Sequence, residues 1–144
     1  MTSEQKDLIV QSFGAVKPRA AEVAAAFYDA LFTLDPSLRP MFLGDMKSQQ
    51  KKLMDVLATA VDSLERLDAL VPVLWQLGKR HGGYGVQDAH YDTVAAALLG
   101  TLESTLGPEE FTPAHKAAWA DVYTLMATTM KQAASEGVVE RGRR

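Results

Sequence analysis

Apolar residues in this 144-residue chain recur at intervals of three and four along five separate segments, and nowhere alternate in the two-residue rhythm of a strand. Such spacing lays one apolar stripe along each of several helices. Stripes of that kind must be buried against one another, so the expected architecture is all-α. Ala24, Phe27, Tyr28 and Leu31 form one stripe, and Gln49, Leu53, Val56, Leu57, Ala60, Val61 and Leu64 a second. Leu70, Val73, Leu74, Leu77 and His81 form a third, Tyr91, Val94, Ala95, Leu98 and Leu102 a fourth, and Trp119, Val122, Tyr123, Met126 and Met130 a fifth.

Punctuation divides these segments. Thr2 or Ser3 can cap a first helix that runs to about Gly14, and Pro18 suits the first turn of a second that runs to about Leu34. Asp35-Pro36 opens a short third helix ending near Met41, and Gly44-Asp45 marks a loop. Ser48 caps a long helix to about Arg66; another runs from about Ala69 to His81 and stops at Gly82-Gly83. Asp88 caps the next, which ends at Leu106-Gly107-Pro108, and Thr112-Pro113 opens a last long helix that fades near Gly137. The expected organisation is one domain over 1–137 followed by a basic, frayed tail over 138–144.

Composition narrows the chemistry. Hydrophobic residues make up 47%, enough for a packed core, and the formal net charge of -3 argues against nucleic-acid binding. Without cysteine the chain can form no disulfide, zinc-thiolate centre or iron–sulfur cluster. The polar N-terminus lacks the apolar run of a signal peptide, and no stretch approaches a membrane span, so a cytoplasmic protein is expected.

Four polar-tipped residues, Tyr28, Gln49, His81 and Tyr91, share the apolar stripes of four different helices. A buried polar tip is costly unless it finds a partner. Two readings are open. In one, each tip is a satisfied core residue bonded to a nearby carbonyl; in the other, the four face a ligand held between helices. The other histidines carry little weight as ligands: His90 points off its stripe, and His115 stands in the first turn of the last helix, in water. The methionines at helical spacing are core filler rather than a metal box. No catalytic triad, phosphate loop or dinucleotide glycine motif is present, so no catalytic residue is named.

Several stretches taken in order resemble a known family. Phe27-Tyr28-Asp29-Ala30-Leu31-Phe32 and Asp35-Pro36-Ser37-Leu38-Arg39-Pro40-Met41-Phe42 are similar to the B and C helices of bacterial globins. Ser48-Gln49-Gln50-Lys51-Lys52-Leu53-Met54 resembles the start of their E helix. Leu77-Gly78-Lys79-Arg80-His81-Gly82-Gly83-Tyr84-Gly85-Val86 and Asp88-Ala89-His90-Tyr91 resemble the F helix, the following corner and the start of G. The likeness is to single-domain haemoglobins and to the globin module of flavohaemoglobins. It implies a globin fold of about eight helices in a three-on-three sandwich around haem b (iron protoporphyrin IX).

The resemblance also implies roles. His81 matches the proximal histidine and is the expected metal ligand, its other ring nitrogen bonding a carbonyl one turn back, at Leu77. Phe42 matches the aromatic that packs on the porphyrin, and Leu53 a wall of the distal cavity. Val86, Val94 and Met126 are candidate porphyrin contacts that serve equally well as ordinary core. Lys52 or Arg80 can meet a haem propionate or stay solvated. Tyr28 and Gln49 match the distal pair, whose phenol O–H and amide N–H would donate to a polarised gas ligand. The ligands implied are O2, NO and CO.

Two departures matter. In flavohaemoglobins a glutamate on the last helix pairs with the tyrosine matched by Tyr91 and supports the proximal histidine. Here Ala133 or Ala134 stands at that place, and Glu136 is the nearest acid. Nor do these residues include a flavin reductase segment. The expectation is reversible oxygen binding, with nitric oxide dioxygenation beside a separate reductase as the alternative, by a monomer or homodimer.

Overall fold

The protein, in a computed structural model, is described over residues 1–42, 44–83 and 86–142; for 82, 83 and 136–142 only the course of the backbone is described. Tyr84 and Gly85, the side chain of Glu136 and the side chains of the tail at 138–144 therefore lie outside the described residues.

Among the described residues six α-helices carry the fold: α1 (Ser3–Val16), α2 (Ala20–Leu34), α3 (Met46–Asp62), α4 (Val71–Gly83), α5 (Asp88–Glu110) and α6 (Pro113–Gly142). Short 3-10 turns at Lys17–Arg19, Pro36–Met41 and Leu64–Leu70 join them. No strand occurs among the described residues. Among the described residues α2 packs against α3 and α5, α6 against α1, α4 and α5, and α1 also against α3 and α5.

Local chemistry sets most boundaries. Thr2 closes a capping box on α1: the Gln5 N–H donates to Thr2 Oγ1 at 3.1 Å, and the Thr2 N–H to Gln5 Oε1 at 2.9 Å. Asp35 accepts from the Ser37 N–H at 3.1 Å and so fixes the turn that Pro36 begins. Gly107 holds φ +79°, which only glycine adopts without strain, and there α5 bends before its last residues.

Four boundaries differ from the sequence reading. Asp45, not Ser48, caps α3 by accepting from the Lys47 N–H at 3.2 Å. Both are cap residues, and the helix begins at the earlier of the two. α3 ends at Asp62, where Ser63 leaves helical geometry, and Arg66 breaks it again within the 3-10 turn that follows. Gln87, not Asp88, flanks α5, and its N–H donates to His90 Nδ1 at 2.9 Å. The backbone of α6 continues to Gly142 rather than fading near Gly137.

Buried side chains gather in two clusters. The larger joins α1, α2, α3, α5 and α6 through Ile9, Phe13, Phe27, Tyr28, Leu31, Leu57, Leu98, Leu102 and Trp119. The smaller lies under α4 and holds Leu70, Leu74, Tyr91, Met126 and Met130. Within the larger, the Trp119 Nε1–H donates to Ser12 Oγ at 2.8 Å while that hydroxyl donates to the Leu8 carbonyl at 2.7 Å. This relay ties α6 to α1. Val73 departs from its assigned stripe and is 46% exposed.

Candidate haem site

The two clusters divide the sequence-predicted residues into two groups. Tyr28 belongs to the first cluster, with Phe42, Leu53 and Val94 half-buried against it. Tyr91 and Met126 belong to the second, with Leu77 and Val86 half-buried against it. The helices that present Gln49 and His81, α3 and α4, scarcely touch each other among the described residues. A cavity of about 110 Å³ lies between them, walled by Val56, Leu70, Val73, Leu74 and Met126 and rimmed by Asp55 and Thr59. Of the site residues singled out in the sequence, Met126 lines it, while Tyr28, Gln49, His81 and Tyr91 do not.

On the α4 side, His81 Nδ1 lies 2.8 Å from the Leu77 carbonyl. That carbonyl can only accept, so Nδ1 carries the hydrogen and Nε2 is the unprotonated nitrogen, the form that ligates a metal. Burial pushes the imidazole below the usual histidine range; the Leu77 bond opposes this and neighbouring Arg80 adds to it. A neutral imidazole at neutral pH follows. The Val86 N–H donates to the His81 carbonyl at 3.1 Å. Arg80 and Lys52 are both exposed.

Tyr91 is buried, and its hydroxyl has no partner among the described residues. Its backbone is fixed instead: the Tyr123 hydroxyl donates to the Tyr91 carbonyl at 2.7 Å. Ala133 is fully buried and Ala134 half-buried, so no acid stands at either position. The Lys131 ammonium sits 5.5 Å from the centre of the Tyr91 ring. Burial raises the Tyr91 phenol above its usual range, and Asp88 adds to the rise.

On the α3 side, Tyr28 packs edge-on to Phe27 and Phe42 with ring centres 5.0 and 5.4 Å away. Burial pushes its phenol up to about 12. Its hydroxyl donates to the backbone carbonyl of Gln49 at 3.4 Å, not to the side-chain amide. The amide Nε2 turns toward Gly44, where a Cβ would meet it at 3.9 Å. A residue in α2 and one at the start of α3 are thus brought together, as the two stripes require, but through the main chain.

Both remaining histidines close helix ends. His90 accepts at the start of α5, as described above. His115 is 6% exposed rather than in water, stacked on Phe111, with its Nδ1 3.1 Å from the Thr112 N–H and 2.8 Å from the Thr112 hydroxyl. The Thr112–His115 spacing is that of a capping box with histidine in the acidic place, a signal available in the sequence. Among the described residues no group of three or more His, Cys, Asp or Glu could hold a metal ion. Likewise, no helix is long and apolar enough to cross a membrane.

The donor set fits haem: one half-buried imidazole of the ligating tautomer on α4, an apolar cavity between α3 and α4, a buried Tyr91 hydroxyl with no partner among the described residues, and a buried phenol on α2. A family model described as Globin matches residues 25–130. An engineered carbene transferase, made from a candidate nitric oxide dioxygenase of Rhodothermus marinus, superposes with a TM-score of 0.88 at 22% identity, over 99% of each chain. A bacterial globin from Campylobacter jejuni does so with a TM-score of 0.81 at 24% identity, over 94% of this chain and 97% of that one. Both likenesses are of fold. With the family model spanning most of the sequence, the chain belongs to the globin family.

Proposed function

We propose that this globin binds O2 reversibly at haem b, with His81 as the axial protein ligand and Tyr28 and Gln49 beside the gas. The observation that carries the reading is the tautomer imposed on His81 by the Leu77 carbonyl, in a helix that stands apart from α3. When bound, haem supplies an iron centre that takes one diatomic gas.

The chain's own residues do the rest. His81 presents Nε2 with a fixed ring orientation, because Nδ1 is held one turn back. Phe42 and Leu53 keep water from the α3 side. Tyr28 keeps its proton throughout the physiological range and so remains a donor. Its bond to the Gln49 carbonyl is long, so turning toward a ligand gives up little. Leu77, Val86, Val94, Tyr91 and Met126 complete the apolar lining. The family's gas ligands extend the reading to NO and CO. We place the globin domain at 1–137, read 138–144 as a basic tail, and read the protein as cytoplasmic, a monomer or homodimer.

Protein expressed with haem available should carry a haem absorbance spectrum, and His81→Ala should lose it. A variant that retains pigment and spectrum unchanged refutes the assignment.

A second reading, nitric oxide dioxygenation with a separate reductase, takes support from the buried Tyr28 donor and from the name of the Rhodothermus marinus neighbour. The Tyr91 hydroxyl, without a partner among the described residues, weighs the other way, since no acid stands at Ala133 or Ala134 to support the His81 side. Steady-state nitric oxide consumption with a reductase supplied separates the two; sustained turnover favours the enzyme.

A further inference from the structure

α4 is held almost entirely from one direction. It packs extensively on α6 and on the Leu64–Leu70 turn from which it emerges, and scarcely on α3 or α5 among the described residues. The separation of α4 from α6 therefore sets where α4 lies. At the crossing stands Gly78, which is buried. A Cβ there would lie 2.4 Å from the carbonyl oxygen of Met130, 2.6 Å from its Cα and 2.9 Å from its carbonyl carbon. Those atoms are backbone in the middle of a helix and cannot swing aside. Ordinary contact begins near 3.4 Å, so any side chain at 78 moves α4 off α6 by about 1 Å.

Gly78 immediately follows Leu77, whose carbonyl orients the His81 ring, and precedes His81 by three residues. A helix moves as a body over so short a distance, so His81 moves with it. We propose that Gly78 is a positioning residue for the haem ligand: the bare backbone contact with Met130 fixes the reach of His81 toward the iron and thereby tunes gas binding. The proposal rests on the assignment of His81 above.

The test uses the haem-loaded protein in two backgrounds. With His81 in place, Gly78→Ala should lower the iron–imidazole stretching frequency of the ferrous protein and slow gas association by up to about a hundredfold, the scale of a 1 Å misplacement at a reacting group. In His81→Gly supplied with free imidazole, the axial ligand no longer rides on α4, and Gly78→Ala should change neither. Ser12→Ala, which weakens the distant α1–α6 relay, controls for lost stability and should leave the stretching frequency unmoved. Equal effects of Gly78→Ala in both backgrounds, or none in the first, overturn the proposal.

If Gly78→Ala loses haem altogether, the doubly substituted protein with imidazole decides. Haem uptake restored to the level of His81→Gly alone supports positioning, and uptake still lost overturns it. The underlying assignment fails separately, when His81→Gly without imidazole keeps the original spectrum.

Discussion

Replacing Tyr28 by Phe removes one oxygen atom and leaves the ring among Phe27, Phe32 and Phe42. In the ligand-free chain the cost is small. The lost bond, to the Gln49 carbonyl, spans 3.4 Å, outside the 2.5–3.0 Å range of a good O–H···O bond. Stability should therefore fall by no more than about 1 kcal/mol. With gas bound the balance changes. A phenol donating in a water-poor cavity contributes roughly 1–2 kcal/mol, and about 1.4 kcal/mol corresponds to tenfold in an equilibrium constant. Tyr28→Phe should then release O2 about 5- to 30-fold faster, while CO, a poorer acceptor, leaves at a rate much closer to the original. Stopped-flow displacement of O2 and of CO measures both, and urea unfolding gives the stability term. An unchanged O2 release rate, or equal acceleration of the two gases, refutes the donor role. A stability loss of several kcal/mol would mean that the hydroxyl serves the core.

Further expectations follow from single contacts. Ser12→Ala strands the Trp119 indole N–H in the core, and urea unfolding should register a loss of about 1–3 kcal/mol. Gly107→Ala forces a side chain into a conformation with φ 79° and ψ 168°, and should cost about 1–3 kcal/mol in the same assay, without altering the haem spectrum. Tyr28, Tyr91 and Tyr123 all hold their protons more tightly when folded than the usual phenol value near 10. For groups raised in this way the stabilisation is whole below pH 10 and lost as pH climbs through the folded values, about 12 for Tyr28. Unfolding free energy measured from pH 8 upward should stay level and then fall above about pH 10, less steeply in Tyr28→Phe; a flat profile to pH 12 contradicts the burial argument.

Part of the candidate site was legible because its determinants are local. The His81–Leu77 bond joins residues four apart on one helix, so the spacing that places His81 on the buried stripe also supplies its partner. The Asp35-Pro36 turn is equally short in range. Where a choice hung on something outside the segment, the reading slipped. Asp45 and Ser48 compete for one helix end, and His115 is covered by a partner ring, Phe111, that a helix periodicity does not reveal.

The sequence by itself determined an all-helical chain, the faces each helix buries, and the four polar tips those faces carry, because the period of 3.6 residues and the chemistry of caps act over a turn or two. Only the tertiary structure decided that α4 rests on α6 at a glycine, that Trp119 reaches Ser12 across 107 residues, and that Tyr28 meets the main chain of Gln49 rather than its amide. Those contacts depend on how far apart two helices lie and how they cross. Distance and crossing angle come from the fit of whole surfaces, which no stretch of a single helix contains.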